Sequence, residues 1–132
     1  ILYAMYASIG ECSIAGTPMT SSQAILGIIP NKEKLNSLFL YFHLCSIKEI
    51  IKLQGQQGTQ SNLNAGIVKD FKLKLPNIKE QEAIADILTT TDKEITELEK
   101  KLSIIKDQKK FLLNNLITGA IRTPENLSIN IR

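Results

Sequence analysis

The sequence predicts an α+β fold: a small antiparallel or mixed sheet with one or two packed helices, followed by a long coiled-coil helix. Three observations carry this. Residues 1–30 hold short apolar runs broken by turn residues, residues 33–53 repeat apolar side chains at three- and four-residue steps, and residues 79–117 contain neither Pro nor Gly. The implied organisation is a globular part over residues 1–78, a long helix over 79–118 and a polar tail over 119–132.

Ile1 to Ala7 is apolar and aromatic, Ser8-Ile9-Gly10 interrupts it, and Glu11 to Ala15 alternates polar and apolar residues. Gly16-Thr17-Pro18 signals a turn. A further apolar run, Ser22 to Ile29, ends at Pro30, which cannot donate a ladder hydrogen bond. In the 33–53 helix, Leu35, Leu38, Phe39, Phe42, Cys45, Ile50 and Leu53 mark the apolar face, with Asn31 as the expected N-cap. The segment 54–62 has no apolar side chain, so it must lie on the surface or face a polar ligand. Asn64 can cap a short helix through Lys69, and Phe71, Leu73 and Leu75 alternate with Lys72 and Lys74 as in a half-buried strand ended by Pro76.

The long helix has a seam of Ile84, Leu88, Thr91, Ile95, Leu98, Leu102, Ile105, Lys109, Leu112 and Leu116 in steps of four and three. Eight of these ten are aliphatic, a heptad pattern broken at Thr91 and Lys109. Burying eight Leu or Ile side chains is worth roughly 12–24 kcal/mol gross. The expected pairing residues are therefore Ile84, Leu88, Ile95, Leu98, Leu102, Ile105, Leu112 and Leu116, with Gly119 as the stop signal. The part from Leu98 to Leu116 calls for a second helix, from a copy or another chain. A helix folded back on its own domain is the plainer alternative.

Charge follows the same division. Residues 1–78 hold seven lysines against four acids, whereas residues 79–117 hold seven lysines against eight. The net charge of +3 thus resides in the globular part. The two cysteines, Cys12 and Cys45, have neither metal-ligand nor CxxC spacing and read as two buried thiols in a reducing cytoplasm. No apolar run is long enough for a membrane span, and no basic n-region precedes an apolar one. The opening residue is not Met, which reads as a fragment or a processed product.

Candidate chemistry is polar recognition. In the 55–62 loop, Gln57, Gln60 and Asn62 carry amides that present donor and acceptor together, as bidentate contact with adenine requires. Thr59 and Ser61 suit phosphate oxygens. Thr20, Ser21, Ser22 and Gln23 form a second hydroxyl-rich group, and Lys69 and Lys72 a cationic one, with Lys74 on the same strand face as Lys72. A solvated turn, structural hydroxyls and an ordinary solvated strand face are the competing readings. His43 has no partner at catalytic or metal spacing and reads as structural. Glu80 and Glu82 suit the positive end of the helix dipole. There is no phosphate-binding glycine loop and no metal-ligand cluster.

Several segments together resemble a known family. They are Ser8-Ile9-Gly10-Glu11-Cys12-Ser13-Ile14, Ser22-Gln23-Ala24-Ile25, Leu40-Tyr41-Phe42, and Gly58-Thr59-Gln60-Ser61-Asn62-Leu63-Asn64. After Leu73-Lys74-Leu75-Pro76 come Glu80-Gln81-Glu82-Ala83-Ile84-Ala85, then Leu88 and Asp92, and finally Leu116-Ile117-Thr118-Gly119-Ala120-Ile121-Arg122. In this order they resemble the specificity subunit of type I restriction–modification systems, at the end of a target-recognition domain and the helix after it. The resemblance implies DNA sequence recognition without catalysis, and docking of an adenine methyltransferase subunit through the long helix. It implies double-stranded DNA, that modification subunit and a second recognition half or a copy as partners, with no membrane. S-adenosylmethionine, ATP and Mg belong, by the same resemblance, to partner subunits, and this chain needs no cofactor. The family's other half is missing from this sequence. The rival reading is an oligomerisation or scaffold module that never touches DNA.

Overall fold

A computed structural model of the chain describes residues 1–56 and 63–124. The fold class is the expected one. Three short strands, β1 (Leu2–Ala4), β2 (Cys12–Ser13) and β3 (Ile25–Gly27), precede three helices, α1 (Ser37–Gln56), α2 (Ala65–Lys69) and α3 (Ile78–Ile117). The sheet order is β2-β1-β3 with both pairings antiparallel, Tyr3 lying opposite Cys12 on one side and Leu26 on the other. The chain forms two compact units, Ile1–Thr89 and Thr90–Arg132.

In the first unit, β1 and β2 are joined by a tight connection in which Ala7 and Gly10 both take positive φ, 54° and 82°. Gly10 meets two demands at once. Its φ is one that side chains rarely adopt, and a Cβ there would stand 3.3 Å from Lys48 Cγ and 3.5 Å from the Lys48 backbone. Glycine thus lets the turn lie directly on α1. The core gathers Tyr3 and Met5 from the sheet end, Leu40, Leu44 and Ile51 from α1, and Leu63 and Val68 around α2. Tyr3 is fully buried, and its ring meets Phe71 edge-on with centroids 6.2 Å apart.

Three local expectations change. Helix α1 buries Leu40, Leu44 and Ile51, with Ile47 packed against them, whereas Cys45, expected as a buried thiol, and Ile50 and Leu53 of the expected face are exposed, and Cys12 is only half-buried. The helix carries apolar residues around most of its surface, so spacing alone does not select the face that meets the sheet. Its N-cap is Asn36, not Asn31: Asn36 Oδ1 accepts from the Leu38 and Phe39 amides at 2.9 and 3.0 Å. Asn31 instead organises a preceding turn, accepting from Glu33 N through its side chain and from Lys34 N and Leu35 N through its carbonyl. Residues 71–77 form no strand. Phe71 and Leu73 still turn inward while Lys72, Lys74 and Leu75 are exposed. The alternation is therefore satisfied by side-chain packing, since the central strand β1 already has a neighbour on each edge.

Asn64 caps α2 as expected, its Oδ1 accepting from Ile67 N at 3.0 Å, and Leu63 N donates to Met5 O, fastening this segment to the end of β1. Helix α3 is capped by Asn77, whose Oδ1 accepts from Glu80 N at 3.0 Å. One turn in, Gln81 is buried to 1% exposure. Its Oε1 accepts from Asn36 N at 2.9 Å, and its Nε2 donates to Lys34 O at 3.1 Å and Pro76 O at 2.9 Å. One buried side-chain amide thus satisfies three partly buried backbone groups from the entry to α1 and the entry to α3. Ala85 is buried one turn later. In the second unit α3 continues to Ile117, and Gly119 at φ 74° ends it, its amide donating to Leu116 O.

Replacing Gln81 by Ala removes all three bonds to partly buried backbone groups and leaves a gap where the buried side chain stood. A loss of about 2–4 kcal/mol is expected by chemical denaturation. Lys79→Ala, exposed and a half-turn away, should stay within about 0.5 kcal/mol of wild type.

Candidate nucleic-acid interface

The hydroxyl group at Thr20, Ser21 and Ser22 lies in a groove of about 490 Å³ that the sheet also lines, through Leu2, Ala4, Cys12, Ser13 and Ile25. Two of these hydroxyls already shape the approach to β3. Ser21 Oγ donates to Ile25 O at 3.1 Å, and Ser22 Oγ accepts from Ala24 N at 3.3 Å. Ser21 keeps acceptor capacity and Ser22 keeps its donor, so neither is used up. Thr20 and Gln23 are exposed, Thr20 on the groove and Gln23 beside it.

Glu11 also lines this groove, and an unpaired acid there would repel a phosphate. Lys48 of α1 answers it: its Nζ pairs with Glu11 Oε1. The hydrogen bond from Lys48 holds the Glu11 carboxyl below its usual range, and the same bond holds the Lys48 ammonium above its own. The pair leaves the groove wall close to neutral.

Lys69 does not join the hydroxyls. It lines a second, apolar groove of about 280 Å³ together with Leu26, Ile28, Leu40, His43, Val68 and Phe71. Lys72 and Lys74 are exposed and line neither groove. His43 Nε2 is buried without a hydrogen-bond partner among the described residues, and burial lowers the pKa of the ring. Gln57, Thr59, Gln60, Ser61 and Asn62 lie outside the described residues. Among the described residues no group of three or more His, Cys, Asp or Glu could hold a metal ion, and no helix is long and apolar enough to cross a membrane.

The helix seam divides between the two units. In the first, Ile84 is half-buried and Leu88 is 38% exposed. In the second, Ile95, Leu98, Leu102, Ile105, Leu112 and Leu116 are all exposed, Leu98 to 65%. Ile104 and Phe111, seven residues apart on a different side of the helix, are exposed as well. Sequence reasoning missed Gln81, although its signal was present. It stands at the start of the Ile84–Ala85–Leu88 face, where an amide among apolar positions must find partners.

Residues 1–107, from the first strand well into α3, match the family described as the type I restriction modification DNA specificity domain. The chain belongs to that family, a family of specificity rather than catalytic components. Among its relatives is a putative type I restriction enzyme MjaX specificity subunit of Methanocaldococcus jannaschii, 32% identical over 122 residues, which are 92% of this chain and 29% of that protein. The MjaVIII and MjaIX specificity subunits of the same organism are 33% and 31% identical, each across 80% of this chain and 25% of their own length. The chain thus spans between a quarter and a third of the length of these relatives.

The Glu11–Lys48 pair gives a pH signature. Glu11 has a folded pKa below its ordinary 4.5, so its contribution is present above that value and fades as pH falls through the lower folded one. The melting-temperature gap between wild type and Glu11→Gln should therefore be open near neutral pH and close on acidification.

Proposed function

We propose that this chain recognises DNA within a type I restriction–modification complex without catalysing any step. Its first unit is the part of a target-recognition domain that presents the Thr20–Ser22 groove and the 55–62 loop to the duplex. Its long helix pairs through the exposed seam with a second recognition half, or a copy of itself, and docks a DNA adenine methyltransferase subunit. The observation that carries this reading is the family match running unbroken from the sheet into α3. The chemistry is compatible with it. Hydroxyls and the lysines Lys69 and Lys72 suit phosphate and sugar contacts, which position a protein, while the loop amides suit base edges, which specify sequence.

A module that only pairs, with no DNA contact, draws on the same seam, since its six aliphatic positions in the second unit stand exposed. The two readings separate on salt. Duplex binding by the chain assembled with its methyltransferase subunit should weaken steeply as ionic strength rises. Lys72→Gln should reduce the slope of log affinity against log salt by about one unit if that lysine meets a phosphate. Affinity that ignores salt would leave the pairing module as the better account.

For the seam, light scattering should give the wild-type chain a mass above that of one copy, and Leu102→Asp should return it to one copy. An unchanged mass in the variant would remove the seam from pairing.

A further inference from the structure

We propose that Cys12 and Cys45 form a dithiol modification site, oxidised by a small-molecule disulfide to an intramolecular bond that fastens β2 to α1. The two sulfurs stand 3.3 Å apart, one on each element. A disulfide needs them at about 2.0 Å, an approach of little more than 1 Å that side-chain rotation can supply if the backbones are already close. They are close. Gly10 rests against the Lys48 backbone, Glu11 pairs with Lys48 and Cys12 meets Cys45, so three consecutive residues of the β1–β2 region touch one turn of α1.

The two thiols differ in a way that sets the order of events. Cys45 is exposed, whereas Cys12 is half-buried, with its Sγ also facing Tyr41 O at 3.8 Å. Burial, followed by the hydrogen bond with Cys45, pushes the Cys12 thiol up to about 12, so it is a poor first nucleophile. The Cys45 thiolate attacks the oxidant disulfide, forming a mixed disulfide and releasing one small thiolate. Cys12, giving up its proton, then attacks Cys45 Sγ and expels the second. Two protein thiols lose two electrons and two protons, and one small disulfide becomes two small thiols.

The site does not depend on the DNA reading. Its consequence is mechanical: Cys12 is part of the wall of the hydroxyl groove, and the bond would fix that wall to the helix behind it.

The test exposes the full chain, folded, to oxidised glutathione and then to a maleimide. We expect no alkylated thiol, an intact mass lower by two hydrogens, and a linked proteolytic peptide containing residues 12 and 45. The melting temperature should rise by roughly 10 °C and return on reduction. Cys12→Ser should instead hold a stable glutathione adduct on Cys45, because the resolving thiol is gone. Two free thiols after exposure, a lasting adduct on wild type, or disulfide-linked dimers would each overturn the proposal, as would a Cys12→Ser protein that takes up no glutathione.

Discussion

The buried amide of Gln81 joins three backbone groups from two segments that lie far apart in sequence. Asn36 N and Lys34 O belong to the entry of α1, and Pro76 O to the entry of α3. An isolated polar group at 1% exposure would cost the fold dearly, and an aliphatic one could not satisfy one donor and two acceptors at once. Gln does both, with one oxygen and one NH₂. The cap residue Asn36 is held from two sides: its own side chain closes the first turn of α1, while its amide is closed by Gln81. The first turn of α1 is fixed at that clamp.

Much of the fold was legible before coordinates. The three strands ahead of the first helix, the cap at Asn64, the long helix and its stop at Gly119 all follow from local rules that act within a turn or two. What escaped depends on contacts distant in sequence. Helix α1 offers apolar residues on most sides, and only the sheet against it selects Leu40, Leu44 and Ile51. Asn31 and Asn36 are equally good caps by composition, and Gln81, forty-five residues from Asn36, decides between them. The Phe71–Leu75 alternation gave the correct inward faces for Phe71 and Leu73 but not their means of attachment, because a period of two reports side-chain direction and not ladder bonds.

The candidate interface was legible as chemistry more than as geometry. Thr20, Ser21 and Ser22 were grouped by adjacency and do share a groove, yet Lys69 belongs to a different, apolar one. Glu11 and Lys48, thirty-seven residues apart, form a pair that no spacing rule suggests, and that pair removes the repulsion an acid in the groove would otherwise exert. Both the groove and the pair lie within residues 1–107, the part of the chain that matches the specificity-domain family.

The hydroxyl groove separates residues with structural duties from residues without them. Ser21 and Ser22 hold the bend into β3, so exchanging either disturbs the path of the strand as well as whatever the hydroxyl meets outside. Thr20 and Gln23, which flank them, are exposed and make no bond to that bend among the described residues. Substitution at the two flanking positions therefore costs folding little, whereas substitution at the two between them also disturbs the entry to β3. The margins of the groove can thus change their chemistry while the scaffold beneath them is spared.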